Sequence, residues 1–439
     1  MEIKGRNWSP RPTRRRGRRG FKSFTSRLAV RVLAVVAVIG TYHCLDLHVQ
    51  YRNSMRAKYS ATQFTALSDY DQATLSSSGW EVDSQSSNPD RAALLDNRKH
   101  WKRLGGGREG DVFTYNDTVI KVYNEQTSPF RNCMPGARKG TRRWPTEIPA
   151  SLIMGGHGGL SAPPNHGAYK DMFVPVKDYF LSAADPSQPP KWHLVTPFLQ
   201  SGTLKTLAKK LRTSPTPLTY REVDLMFRPS FESLLDALHD LHWSHDLCHD
   251  DVKMDNVFVA SGDDPRRWKI GDLGNAREPG HKYHASRLWI ADTPQLRDCR
   301  ANDALRLARS YLAFVRTAAG DSHLFDRVFY DGIEPLSRFY WAVAGAGAAS
   351  LASAADVRGL SEAYPPMRDG DEMVWEAVEP ADVDASGTTT ALVTTLFGWN
   401  PLVRNTITLE LRVGAKEDLG QFFGLTNILG VPVTACPAI

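Results

Sequence analysis

The chain has 439 residues, enough as a prior for two or three domain-sized units, and its 41% hydrophobic and 23% charged residues are those of a globular protein with ample chain for a large core. Its net charge of +6 is unevenly held: residues 1–31 carry eleven Lys/Arg and one Glu, a net of +10, which leaves −4 on the rest. The basic pI therefore reflects the N-terminal arm and gives no ground for reading the folded part as a nucleic-acid binder.

In chain order, residues 1–27 form a basic arm with a cluster at Arg14, Arg15, Arg16, Arg18 and Arg19. An apolar run over 32–42 follows. The stretch 28–47 reaches the roughly 20 residues that span a bilayer only by including Arg31, His43 and Asp46. Arg31 lies near an end, where it can snorkel. This predicts a single membrane anchor. The positive-inside rule keeps the arm cytosolic and sends the remainder into the secretory lumen. A cleaved signal peptide, a mitochondrial presequence and a nuclear signal on a soluble protein are the competing readings. Residues 48–100, with Ser76, Ser77, Ser78 and Gly79, read as a stalk. The five cysteines, Cys44, Cys133, Cys248, Cys299 and Cys436, are widely spaced; they give neither a zinc pattern nor a clear disulfide framework.

After Trp101 comes Leu104-Gly105-Gly106-Gly107-Arg108-Glu109-Gly110-Asp111-Val112. Gly105, Gly107, Gly110 and Val112 fit a Gly-x-Gly-x-x-Gly-x-Val pattern, whose glycines let backbone approach phosphates. Residues 112–115 and 118–123 read as strands joined at Asn116-Asp117, a hairpin turn pair. Alone, the pattern is equally a surface loop. Val119-Ile120-Lys121-Val122-Tyr123 then carries a lysine on the second strand. The loop 127–143 is long and basic and reads as solvated. A helix is expected from Thr146-Glu147-Ile148-Pro149, with Thr146 as cap and Pro149 in the first turn. Glu147 either pairs with Lys121 or simply matches the helix dipole. Residues 192–204 read as a strand, a turn through Pro197, Phe198 and Leu199, and the start of a helix.

Phe231, Leu234, Leu235, Leu238 and Leu241 recur at helical spacing and predict a buried helix face. That helix leads into His249-Asp250-Asp251-Val252-Lys253-Met254-Asp255-Asn256, then an extended Val257-Phe258-Val259, then Ile270-Gly271-Asp272-Leu273-Gly274.

These motifs, in this order, resemble the protein-kinase-like superfamily over residues 101–369. Val119 to Tyr123 is similar to its Val-Ala-Ile-Lys strand, 249–256 to its His-Arg-Asp-Leu-Lys-x-x-Asn loop, and Asp272-Leu273-Gly274 to its Asp-Phe-Gly element. The resemblance implies an α+β, bilobal protein-kinase-like fold, with a β-rich N-lobe, a helical C-lobe and ATP between them. Lys121 would hold the α/β-phosphates, paired by Glu147. Phe198 and Leu199 would meet adenine. Asp251 would serve the acceptor hydroxyl, and Lys253 would neutralise charge on the moving phosphoryl group. Asn256 and Asp272 would bind Mg2+.

The reading is an ATP- and magnesium-dependent phosphotransferase, foremost a membrane-anchored protein serine/threonine kinase, because Lys253 follows Asp251 by two residues. A kinase-fold enzyme acting on a sugar or small molecule, with a glycan hydroxyl as acceptor, is the rival. A pseudokinase scaffold is the third reading. No nucleic-acid partner is expected. Asp250 replaces the family's Arg, which makes regulation by a phosphorylated loop doubtful; no Ala-Pro-Glu follows Asp272. Asp303-Ala304-Leu305-Arg306 resembles a helix whose Asp braces the catalytic loop, against the plain reading of an exposed Asp. Residues 333–355 read as an Ala-rich helix. Residues 370–439 have no kinase counterpart; an accessory β element, disorder and a gene-model artefact stay open.

Overall fold

The computed structural model describes residues 19–64, 89–107, 109–124, 130–133, 143–156, 169–183, 187–291, 295–329, 332–349 and 353–368. The sequence readings for residues 1–18, for 370–439 and for Cys436 lie outside these.

The fold is mixed α+β. A five-stranded sheet runs in the order β1-β2-β3-β7-β6, antiparallel throughout. Its strands are β1 (Lys102–Gly106), β2 (Gly110–Tyr115), β3 (Thr118–Tyr123), β6 (Asp178–Ser182) and β7 (Lys191–Pro197). The β2–β3 hairpin turns at Asn116, whose φ of 49° is the left-handed conformation that asparagine tolerates. Two short pairs stand apart: β4 (Asn132–Cys133) with β5 (Arg143–Trp144), and β8 (Val257–Val259) with β9 (Trp268–Ile270). Helix α3 (Glu147–Gly155) packs Ile148 and Leu152 against Tyr123, Trp192 and Leu194 of the sheet. Thr146 does not cap this helix. Its hydroxyl instead pairs with Asn132 Oδ1 at 3.2 Å, because its own backbone is already helical.

The larger core is helical. It gathers α4 (Leu204–Arg212), α5 (Tyr220–Trp243), α7 (Cys299–Ala318), α9 (Pro335–Ala349) and α10 (Ala354–Ala363); α6 (Arg287–Ile290) and α8 (Ser322–Val328) are short. Helix α5 begins at a reciprocal capping box between Thr219 and Glu222. Its Phe231, Leu234, Leu235, Leu238 and Leu241 are fully buried, the stripe that the helical spacing predicts. The end of α5 sets up the turn into 249–256.

Helix α1 (Arg19–Lys58) contains, from Arg27 to Lys58, 32 residues long and apolar enough to cross a membrane; it is weak evidence for a single-pass protein. The helix does not stop at residue 47, and the described residues 48–64 and 89–100 pack against the rest of the fold. Met55 and Tyr59 are buried against Tyr283, Leu288 and Trp289. Gln50 Oε1 accepts from Arg287 at 2.9 Å, and Thr62 Oγ1 donates to Ala276 O at 3.1 Å. Farther on, α2 (Pro89–Asp96) is tied to the sheet through Arg91, which forks onto Asp178 at 2.7 and 2.8 Å, and through Leu94, which is buried on Ile120 and Val195. Turn- and loop-forming residues such as Ser76 to Gly79 made the region read as a stalk; its described parts are fixed by a few buried side chains, among them Met55, Tyr59, Thr62 and Leu94.

The described part of the 127–143 loop is not solvated either. Arg131 is buried, and its guanidinium donates to Thr62 Oγ1 at 2.8 Å and to the carbonyls of Gly274 and Ala276.

Candidate functional site

The site lies where one face of β3, the start of α3, the turn after α5 and the residues after β9 meet. Side chains two apart share a strand face. Lys121 and Tyr123 therefore point together, toward Glu147 at the start of α3. Lys121 Nζ is 2.6 Å from Glu147 Oε2, and the Tyr123 hydroxyl donates to that same oxygen at 2.5 Å. The pairing of Glu147 with Lys121 thus stands over the dipole reading. Lys121 Nζ also lies 3.0 Å from Asp272 Oδ1 and 3.4 Å from Glu109 Oε2.

One ammonium is thus shared among three carboxylates. Burial works against the charged lysine, but Asp272 and Glu147 outweigh it and push Lys121 well above its usual range. Burial raises Glu147 to about 7 against the pull of Lys121. It raises Glu109 as well, with Asp272 and Asp251 adding to the effect and Lys121 offsetting part of it. Burial also works to raise Asp272, yet the Lys121 ammonium outweighs it and holds this carboxyl below its ordinary value. The surplus of negative charge is what a divalent cation would neutralise.

The Gly-rich turn covers this cluster. Gly107 N donates to Gly110 O at 2.9 Å and closes the turn between β1 and β2. A Cβ on Gly110 would sit 2.1 Å from Val122 O, so only glycine lets β2 approach β3 there. The space beside Gly105 and Gly107 is open. Val112 is half-buried and opposite Lys121 in register. Phe198 and Leu199 are half-buried after β7. The amide of Phe198 donates to Asp117 O at 2.9 Å, which ties this turn to the β2–β3 hairpin.

The turn 249–256 is braced from several sides. Asp303 on α7 is fully buried, and its carboxylate accepts the amides of His249 at 2.6 Å and Asp250 at 3.0 Å. The bracing role holds, and the exposed reading does not. His249 Nε2 meets Gly271 O at 3.0 Å, which links this turn to Asp272. Asp251 Oδ2 pairs with Lys253 Nζ at 2.7 Å, and burial against this pairing leaves the lysine above its usual range. Asn256 Nδ2 donates to Asp251 O at 2.9 Å. That spends the amide nitrogen and leaves the amide oxygen as a hard ligand, the type that magnesium takes together with a carboxylate such as Asp272.

Sequence reasoning missed four parts of this site. Glu109 lies inside the Gly-rich motif, whose pattern assigns that position no role. Arg306 lies three residues after Asp303, hence on the same helix face; it donates to Asp250 O at 2.8 Å and approaches Asp251 Oδ1 at 3.3 Å. Asp250 is buried with φ of 64° and takes Arg277 at 3.0 Å and His284 at 2.9 Å. Finally, Cys248 and Cys299 form a disulfide across a separation of 51 residues, which corrects the reading that the cysteines make no clear framework. It ties the start of the turn to the start of α7. Cys133 is disulfide-bonded too, and Cys44 is free.

No protein-family model matches the chain, and no curated protein matches it.

Proposed function

We propose that this chain is an ATP- and magnesium-dependent phosphotransferase of the protein-kinase-like type, acting on a hydroxyl. The observation that carries the reading is the Lys121 ammonium, 2.6 Å from Glu147 and 3.0 Å from Asp272, in the same site as Asp251 and Asn256. The reading is supported by the way the 105–123 hairpin, the turn 249–256 and Asp272 come together at Lys121, through Glu109, Asp272 and the His249–Gly271 contact.

In this reading Lys121 holds the α/β-phosphates, and Glu147 and Tyr123 fix its position. Asp272 and Asn256 supply oxygen ligands for magnesium, which would neutralise phosphate charge when bound. Asp251 orients the acceptor hydroxyl and takes its proton. Lys253, on the same carboxylate, moves toward the transferred group. The glycines near 105–110 close over the phosphates.

Protein serine or threonine is the leading acceptor, from the Asp251–Lys253 spacing. A glycan or small-molecule acceptor is favoured by a different observation. Residues 283–290, which follow Asp272, are covered by Met55 and Tyr59 of the chain's own N-terminal helix, and this reduces the surface left for a peptide. Lumenal placement, with α1 as anchor, is supported by the Cys248–Cys299 disulfide, since such bonds persist in oxidising compartments.

The deciding experiment incubates full-length protein in detergent with labelled ATP, against protein and glycan acceptors, beside Asp251→Asn. Transfer by wild type alone supports the proposal. Magnesium-dependent ATP binding with no transfer to any acceptor would point to a pseudokinase scaffold.

A further inference from the structure

His281 and His284 stand three residues apart in the segment after Asp272, and their partners assign them different charge states, neutral for His281 and cationic for His284. His281 Nδ1 accepts the amide of Tyr283 at 3.2 Å, so that nitrogen carries a lone pair and the ring is neutral. Its Nε2 faces Ser60 Oγ at 3.0 Å and Ser60 O at 3.2 Å. His284 is the reverse. Its Nδ1 faces Pro279 O at 3.1 Å, and its Nε2 faces both oxygens of Asp250 at 2.9 and 3.1 Å. A carbonyl and a carboxylate only accept. A neutral imidazole has one N–H and would set a lone pair against one of them; imidazolium satisfies both.

The carboxylate that this ring meets is in the site's turn. Asp250 lies next to Asp251, in a left-handed conformation uncommon for a residue with a side chain. Its amide is held by Asp303 and its carbonyl by Arg306. Its side chain is held from the other direction by Arg277 and His284. Backbone bonds between Cys248 and Arg277, at 2.7 and 3.0 Å, complete the attachment.

We propose that His284 is a positioning residue: a buried imidazolium that, with Arg277, holds Asp250 and thereby the turn that aims Asp251. The proposal rests on the phosphotransfer reading for its catalytic consequence, and on geometry alone for the charge. Where the family's loop carries an Arg that awaits a phosphate, this chain carries an Asp already met by two cations. The clamp is permanent except toward protons.

Among the described residues, the charged and titratable groups around the ring come from the turn, from α7 and from the ring's own segment. Asp250 faces it from the turn, and Arg306 stands behind Asp250 on α7. Arg277, Glu278, His281 and Tyr283 lie on its own segment, and Arg131, just before β4, approaches Arg277, Asp250 and His281. Burial opposes the charged ring, and Asp250 outweighs burial, so His284 titrates above the ordinary histidine value. For His281, burial and the nearby Arg277 and Arg131 act together and bring the ring down to about 3. A raised histidine contributes stability fully below about 6.5, and the contribution is lost as pH rises through the folded value.

The test follows full-length protein in detergent from pH 6 to 9.5 by thermal unfolding and by ADP release from ATP, the phosphoryl group passing to the added protein and glycan acceptors or to water. Wild type, His284→Gln and Asp250→Asn are compared. The wild-type advantage in unfolding temperature over His284→Gln should shrink as pH rises through the histidine's titration. ADP release should fall over the same limb by about tenfold to a hundredfold, the weight of one charge-assisted hydrogen bond, with KM for ATP unchanged. Asp250→Asn, which keeps a side chain tolerant of the left-handed turn, should move both limbs to lower pH. It also keeps the test decisive where His284→Gln does not fold. A stability difference that stays constant with pH, and limbs unmoved in Asp250→Asn, overturn the charged assignment. A stability limb without a matching rate limb overturns the positioning role. Absence of ADP release at every pH removes the phosphotransfer reading, and the positioning role with it; the unfolding data still judge the charge.

Discussion

Arg306 Nη2 lies 3.3 Å from Asp251 Oδ1, and the same guanidinium donates to the carbonyl of the preceding residue at 2.8 Å. Lys253 holds the other oxygen of Asp251 at 2.7 Å. The carboxylate is therefore oriented from both sides. Arg306 also meets Gln295 Oε1 at 3.3 Å, so its fork joins α7, the turn and the segment after Asp272.

The first prediction concerns that fork. Arg306→Lys keeps the charge and loses the planar geometry, which is not a conservative change at a site with several partners. ADP release or acceptor phosphorylation should fall roughly tenfold, with ATP affinity unchanged, and stability should fall by about 1–3 kcal/mol. Steady-state kinetics and thermal unfolding read the two effects separately. A rise in KM for ATP with kcat unchanged would place Arg306 on the nucleotide side instead.

Asp251→Asn tests the reaction itself. Its carboxylate pairs with Lys253 and Arg306 and not with Lys121, and in the proposed reaction it serves the acceptor. Transfer should drop by about 10²–10⁴-fold, the usual weight of a positioned base. Nucleotide binding, measured by calorimetry with magnesium, should persist. Full activity in the purified variant removes Asp251 from its assigned role.

Glu147→Gln separates stability from activity. Burial lifts Glu147 to about 7, above the roughly 4.3 of an unfolded glutamate. Between those values the folded state binds more protons than the unfolded one. Stability therefore declines as pH rises across that window, and the charged form is a net cost above it. Gln removes that cost but no longer fixes the Lys121 ammonium, which is then left to Asp272 and Glu109 alone. Unfolding temperature should become flatter between pH 4.5 and 7, and activity should fall about tenfold or more. Unfolding curves of the two proteins that remain parallel over that window would contradict the raised carboxyl.

Much of the site was legible because its motifs are local. Lys121 and its strand, the glycines at 105, 107 and 110, and the stripe of α5 depend on neighbours a few residues away, and such neighbours leave periodic patterns. What escaped depends on distance in sequence. Asp250 looked like the loss of an Arg, because its partners Arg277 and His284 lie on an irregular segment that no period reveals. The Cys248–Cys299 bond joins residues 51 apart, and five cysteines admit too many pairings for spacing to choose one. The docking of residues 48–64 rests on Met55 and Tyr59, with Ser54, Ser60 and Thr62 adding hydrogen bonds; a stretch that polar resembles a linker until its receiving surface is known.

The disulfide supplies a fourth prediction. By chain-entropy reasoning, a link across about 50 residues stabilises by about 4 kcal/mol. Both cysteines also flank backbone that positions Asp251: Cys248 precedes His249, and Cys299 opens the helix bearing Asp303 and Arg306. The double change Cys248→Ser with Cys299→Ser should lower the unfolding temperature and reduce turnover even well below it. Turnover equal to wild type at low temperature would limit the bond to stability.

The last prediction concerns topology. The chain has two Asn-x-Ser/Thr sequons, Asn7-Trp8-Ser9 and Asn116-Asp117-Thr118, on opposite sides of the apolar stretch of α1. Asn116 is exposed at the tip of the β2–β3 hairpin, where a glycan projects into solvent and displaces no packed residue. Eleven Lys/Arg in residues 1–31 favour retention of the N-terminal end in the cytosol, and the Cys248–Cys299 bond favours folding of the remainder in an oxidising lumen. Full-length protein from eukaryotic cells should therefore lose mass on N-glycosidase treatment, and Asn116→Gln should abolish that shift. In intact microsomes, added protease should remove only the N-terminal arm and leave the folded domain whole until detergent is added. Digestion of the domain from outside sealed microsomes would return it to the cytosolic face and leave the disulfide without its expected compartment.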